Sequence, residues 1–161
     1  MANILVKKGY MAVSSTPGAW LEARSLGSTL CVCVRDPVAV SSGMAVIVLP
    51  SLPPADGPRN FTGMALDAAG GLAGLFRKFL GKGSKRENFN VWLVGAARFI
   101  EEPADMGLGA QVYTAVKTIL QKNGVPINGE HVGGPYNRSV RMAVDRDEVD
   151  VIMPGSKEVS L

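Results

Sequence analysis

The chain is poor in the side chains that most often carry chemistry. Its 161 residues include one histidine, His131, and two cysteines, Cys31 and Cys33. A structural zinc site needs more close ligands than these, so no metal centre is expected, nor any cofactor. The two thiols sit two positions apart in what reads as a single strand, where a mutual disulfide would be badly strained. A reduced, cytoplasmic setting follows as the expectation. Aromatics are only 6%, and 17 basic against 14 acidic residues leave a net charge of +3. Nucleic-acid domains carry a stronger basic bias, so no nucleic-acid partner is expected. No apolar run reaches the roughly 18–20 residues that span a bilayer. The opening MANILVKKGY lacks the apolar stretch of a secretory signal. Neither export nor membrane insertion is expected. There is no internal repeat and no low-complexity segment.

What is present is a core-forming composition, 47% hydrophobic and 19% charged, in a chain sized for a single domain over residues 1–161. Glycine (19) and proline (10) punctuate short segments. Residues 4–13 and 19–26 read as partly alternating strands. Residues 30–34 and 44–49 are dense in valine, as expected of strands buried on both faces, with breaks at 35–37 and 41–43 making a hairpin-like pair. A helix is predicted over 62–80, with Leu72, Leu75, Phe76, Phe79 and Leu80 on one face. Gly70, Gly71 and Gly74 inside it imply close backbone packing or a bent start, since each costs about 1 kcal/mol against alanine. Residues 90–99 follow as a buried strand, and 108–123 as a second helix closed by Gly124 and Pro126. Segments 126–132, 138–144 and 148–153 read as strands, with a tight turn at 145–147. Loops are expected at 51–60 and 81–88, and Trp20 and Trp92 as core. Two long helices and about eight strands argue for an α/β or α+β domain with helices packed on sheet.

The stretch LGSTLCVCVRDPVAVSSGMAVIVLP, residues 26–50, is the most informative. Gly27, Ser28 and Thr29 form a small-residue turn feeding a buried strand. Such a turn can leave backbone N–H groups free to hold an anion, with a nucleophile well placed at its end, or it can be a plain junction. Cys31 lies two residues beyond Thr29, on the same side of the strand and about 6–7 Å deeper. Cys31 and Cys33 also suit small buried core residues.

These residues resemble the CheD family of chemoreceptor glutamine deamidases. Its first motif runs Leu-Gly-Ser-Cys, a small apolar strand with a second cysteine, then Asp-Pro, a glycine, a methionine, a histidine and Leu-Pro. Here stand Leu26, Gly27, Ser28, Cys33, Asp36, Pro37, Gly43, Met44, Leu49 and Pro50, in that order and spacing. VWLVGAARF, residues 91–99, resembles the family strand ending in Gly-Gly-Ala and then Phe. Residues 107–140 resemble its helix and its Glu-Asp-Val-Gly-Gly loop with a following arginine, and residues 149–151 its closing strand. The resemblance implies a layered β-sandwich-like α/β fold related to bacterial cysteine-dependent deamidases. It also implies chemoreceptor helices or a CheC-type phosphatase as partners.

The family's catalytic residues do not carry over. Its nucleophilic cysteine falls on Thr29, its histidine on Val46 and its assisting threonine on Ala23. A cysteine attacks because imidazole holds it as thiolate, whereas a threonine hydroxyl needs an aligned base and valine accepts no proton. Losing nucleophile and base typically costs factors of about 10⁴–10⁶ in rate. The implied protein is a deamidase homologue without hydrolysis, acting by binding. The alternatives are an amidohydrolase rearranged around Cys31 or Thr29, or a sensor using the old pocket as a ligand cleft. His131 replaces the family's aspartate before Gly133 and Gly134, and would rescue a Cys/His pair only if its loop approached Cys31. Gly27, Ser28, Gly133, Gly134 and Arg138 remain as binding candidates, Arg138 either orienting an acidic group or closing a structural salt bridge. Arg77, Lys78, Lys82, Lys85 and Arg86 form a basic cluster, which suits either a solvated helix end or steering toward glutamate-rich receptor helices.

Overall fold

The computed structural model describes residues 3–52, 64–98 and 107–161. Ten strands and two helices follow in the order β1 (Asn3–Leu5), β2 (Met11–Ser14), β3 (Trp20–Leu26), β4 (Leu30–Asp36), β5 (Ser41–Ile47), α1 (Ala68–Leu80), β6 (Asn90–Gly95), α2 (Leu108–Lys122), β7 (Gly129–Val132), β8 (Arg138–Ala143), β9 (Val149–Met153) and β10 (Lys157–Ser160). They form two five-stranded sheets, ordered β1-β3-β8-β9-β10 and β2-β5-β4-β6-β7. The architecture is the expected α/β layering of sandwiched sheets and two helices.

The side-chain alternation of the second sheet separates two cores. Leu30, Val32 and Val34 of β4, with Ala45, Ile47, Val91 and Leu93, face the helices and pack on Leu72, Leu75, Phe79, Val112, Val116 and Leu120. The alternate residues Cys31, Cys33, Met44, Val46, Trp92 and Val94 face the first sheet, meeting Leu21, Ala23, Leu26, Val140 and Val151. Every residue of β4 and β5 is buried. The valine-dense segments are therefore central strands covered on both faces.

Several expected boundaries move. Residues 4–13 split into β1 and β2, which join different sheets across a turn at Gly9 (φ +81°). The first helix begins at Ala68, where the Asp67 side chain accepts from the Gly70 N–H. Its glycines serve close packing: a Cβ on Gly71 would lie 3.0 Å from Ile47 and one on Gly74 2.8 Å from Met11. Ser41, Ser42 and Gly43 belong to β5, and the hairpin turns instead at residues 37–40. There the Asp36 carboxylate accepts from the Val38 and Ala39 N–H groups at 2.9 and 3.1 Å. The 81–88 loop contains a short 3₁₀ turn, Arg86–Asn88. Of the 51–60 loop, residues 53–60 lie outside the described residues, as does Phe99. β10 has no counterpart in the sequence reading. Trp92 is core, but Trp20 points outward from the first sheet, between the guanidinium groups of Arg141 (5.0 Å) and Arg146 (4.8 Å).

Candidate functional site

Three turns meet where β3 hands over to β4. The carbonyls of Gly27 and Thr29 accept from the N–H groups of Ala97 and Ala96, both at 2.8 Å. The Gly133 N–H donates to the Gly95 carbonyl and the Arg98 N–H to the Gly134 carbonyl, each at 3.0 Å. The 27–29, 95–98 and 133–134 turns are thus laced into one scaffold. Gly95 is essential to it: its φ is +117°, and a Cβ there would lie 2.4 Å from the Thr29 carbonyl oxygen. Ser25 and Ala96, both with positive φ without being glycine, flank the same junction. At Ser25 the β3–β8 register slips, and its N–H turns to Ser139 Oγ at 3.0 Å.

Thr29 is buried, and its hydroxyl oxygen has no hydrogen-bond partner among the described residues. Val46 and Ala23 are fully buried in the inter-sheet core, one from each sheet. Val46 and Leu26 also lie behind a cleft of about 390 Å³, lined further by Lys7, Lys8, Tyr10 and Arg24. Arg24 is held by Glu22 at 2.9 Å. Thr29 does not line this cleft. The cationic turn of the cleft, Lys7 to Tyr10, was missed from sequence; paired lysines before a Gly9 turn were its only signal.

The rearranged Cys/His pair is not formed. Cys31 pairs in register with Val46 on one side and Val94 on the other, and Val94 pairs with His131. A whole strand stands between thiol and imidazole, a separation of about 10 Å between backbones. Instead the Cys31 sulfur lies 3.8 Å from both the Cys33 sulfur and the Met44 sulfur. Its contact with Cys33 and its burial push its thiol well above the ordinary range. That is the reverse of an activated nucleophile.

His131 belongs to β7, and its Nδ1 accepts from Arg138 at 2.9 Å. Burial first, and the Arg138 charge second, hold the imidazole below its usual pKa. Arg138 is buried and also donates to the carbonyls of His131, Gly133 and Tyr136. It closes no salt bridge, contrary to expectation, and engages no acidic group among the described residues. Its terminal nitrogens staple the 131–136 loop, and the amide oxygen of the next residue, Asn137, lies near Gly27. No cluster of three or more histidine, cysteine or acidic side chains fit to hold a metal occurs among the described residues.

Fold and site together define a two-sheet α/β protein with a glycine-braced strand junction, an adjoining cleft, and no nucleophile–base pair at it among the described residues. Comparison with known proteins gives this class its family. Residues 56–152 match the family model described as CheD chemotactic sensory transduction. The chain is 30% identical over 146 residues to the probable chemoreceptor glutamine deamidase CheD of Solibacter usitatus, covering 89% of this chain and 85% of that protein. It is 31% identical over 150 residues to the chemoreceptor glutamine deamidase CheD of Thermotoga maritima, covering 93% and 91%. With the probable chemoreceptor glutamine deamidase CheD of Syntrophotalea carbinolica it shares 31% over 159 residues, 96% of each. The chain belongs to the CheD family. No helix among the described residues is long and apolar enough to cross a membrane.

Proposed function

We propose that this chain is a cytoplasmic CheD-family protein of chemotaxis that binds a chemoreceptor helix, or a CheC-type phosphatase, without cutting amides. It acts as one unit over residues 1–161. The observation that carries this reading is Val46, buried beside the cleft, where the family resemblance calls for a histidine. Thr29, in the nucleophile's position, has a buried hydroxyl with no base beside it among the described residues, and Ala23 takes the place of the assisting threonine. Threonine without a proton acceptor does not attack an amide at a useful rate. The cleft retains an apolar floor and a cationic rim of Lys7, Lys8 and Arg24, which suits a helix rich in glutamate. Gly27, Ser28, Gly133, Gly134 and Arg138 belong to the turns beside Leu26, next to that cleft, and remain candidates for contact with the partner.

The test is direct. Purified protein is incubated with the cytoplasmic helices of a chemoreceptor carrying its glutamines, and ammonia and the mass of the glutamine peptides are followed. The expected result is binding with no release above buffer. Release that disappears in Thr29→Ala, or in Cys31→Ala, would establish the rearranged amidohydrolase instead. Iodoacetamide gives a second readout: both thiols stay unlabelled at neutral pH until the chain is unfolded.

A further inference from the structure

A second concave surface lies on the helical layer, and no part of the proposed activity uses it. Between α1 and α2 opens a groove of about 300 Å³, lined by Leu72, Phe76 and Leu80 of α1, Phe89, Ile119 of α2 and Val125. Leu80 belongs to the apolar face of α1, yet it is 50% exposed. Phe76 is only partly covered, stacked on Phe89 at 5.3 Å between ring centroids.

The charge around the groove is predominantly positive, with Glu87 next to Arg86 as the exception. Neither α1 (AAGGLAGLFRKFL) nor α2 (LGAQVYTAVKTILQK) contains an acidic residue. Arg86 lines the groove, and Arg77, Lys78, Lys82 and Lys85 stand exposed on the last turn of α1 and the segment after it. Among the described residues none of these five cations is in an ion pair, whereas Arg24 and Arg141 of the first sheet and Arg146 of the β8–β9 turn all are. A helix dipole accounts for a cation or two at a C-terminus. It does not account for cations that continue past the helix to the edge of an apolar groove.

We propose that the α1–α2 groove is a docking site for an acidic amphipathic helix of a partner protein, separate from the Val46 cleft. Two or three apolar side chains of that helix, spaced by three or four residues, fill the groove over Phe76 and Leu80. Its flanking glutamates or aspartates meet Arg77, Lys85 and Arg86. The recess accepts protruding side chains, which favours a helix over a flat lipid surface.

The experiment selects helical peptides from a displayed library on the full chain, with anionic phospholipid vesicles as a parallel probe. The expected winners carry apolar residues at i, i+3 or i+4, and i+7 with acidic flanks. Leu80→Ser and the pair Arg77→Glu/Arg86→Glu should each weaken the best peptide by roughly tenfold or more. Raising the salt should weaken it further. Lys7→Glu/Lys8→Glu, on the rim of the other cleft, should leave it unchanged. Leu80 is half exposed and the arginines are on the surface, so these variants keep the fold, checked by circular dichroism. Winners that are basic or unpatterned overturn the proposal. So does binding that survives both groove variants, or capture by vesicles in place of peptides.

Discussion

The Val46 cleft and the α1–α2 groove are both apolar hollows edged by cations, and their origins differ. The cleft opens at the ends of strands, against the scaffold of turns that braces Thr29, and its floor belongs to the inter-sheet core. The groove opens between helices over the other core, closed at its end by the turns at 86–89 and 123–125. Beside the cleft, the positive-φ residues Ser25 and Ala96 and the glycine at 95 brace the strand junction that carries Thr29. The groove has no such strain, and its character rests on side-chain type alone.

The largest effect expected from breaking this contrast is chemical. Thr29→Cys with Val46→His and Ala23→Thr puts a thiol, a base and a hydroxyl back on an intact scaffold. Deamidation of chemoreceptor glutamines should rise by roughly 10²-fold or more over the native chain, read as ammonia release. The groove peptide should bind this triple variant unchanged. A folded triple variant without activity would mean that the scaffold, and not only the side chains, has departed.

Next in size is the scaffold itself. Gly95→Ala forces a Cβ to 2.4 Å from the Thr29 carbonyl at a backbone angle unsuited to alanine. A loss of about 3 kcal/mol or more is expected in urea unfolding. Leu80→Ser in the groove should cost under about 1 kcal/mol, because the side chain is already half in water. Similar losses at the two sites would erase the distinction between braced cleft and side-chain groove.

The smallest effect is a pH slope. The folded protein holds His131 below its unfolded pKa of 6.5, because burial and Arg138 disfavour imidazolium. The unfolded chain therefore binds the extra proton. This contribution is present in full above pH 6.5 and is lost as pH falls through 6.5 toward the folded value. Urea midpoints should drop between pH 7.5 and 5.5 by more in the native chain than in His131→Asn, whose amide oxygen accepts from Arg138 without titrating.

Much of the fold was legible in the residues. The alternation of β4 and β5, the apolar stripes of α1 and α2, and the turn at 145–147 are local patterns, and local patterns survive into the structure. The side chains at positions 29 and 46, threonine and valine, are read from the sequence directly, and reactivity begins with side-chain identity. Less legible were the partition of residues 4–13 between two sheets, the outward-facing Trp20 and the carbonyl cage of Arg138. Each depends on which strand pairs with which, and no short window of sequence contains that information.

By itself the sequence determined which segments are buried on both faces and which chemical groups each position can offer, because periodicity and side-chain chemistry are properties of the chain alone. Only the tertiary structure decided that β6 separates Cys31 from His131. It also decided that Val46 lines a cleft beside Lys7 and Lys8, and that the helix packing of α1 on α2 leaves an apolar groove next to Arg86. Those are relations between residues far apart in the chain, set by strand order and layer packing.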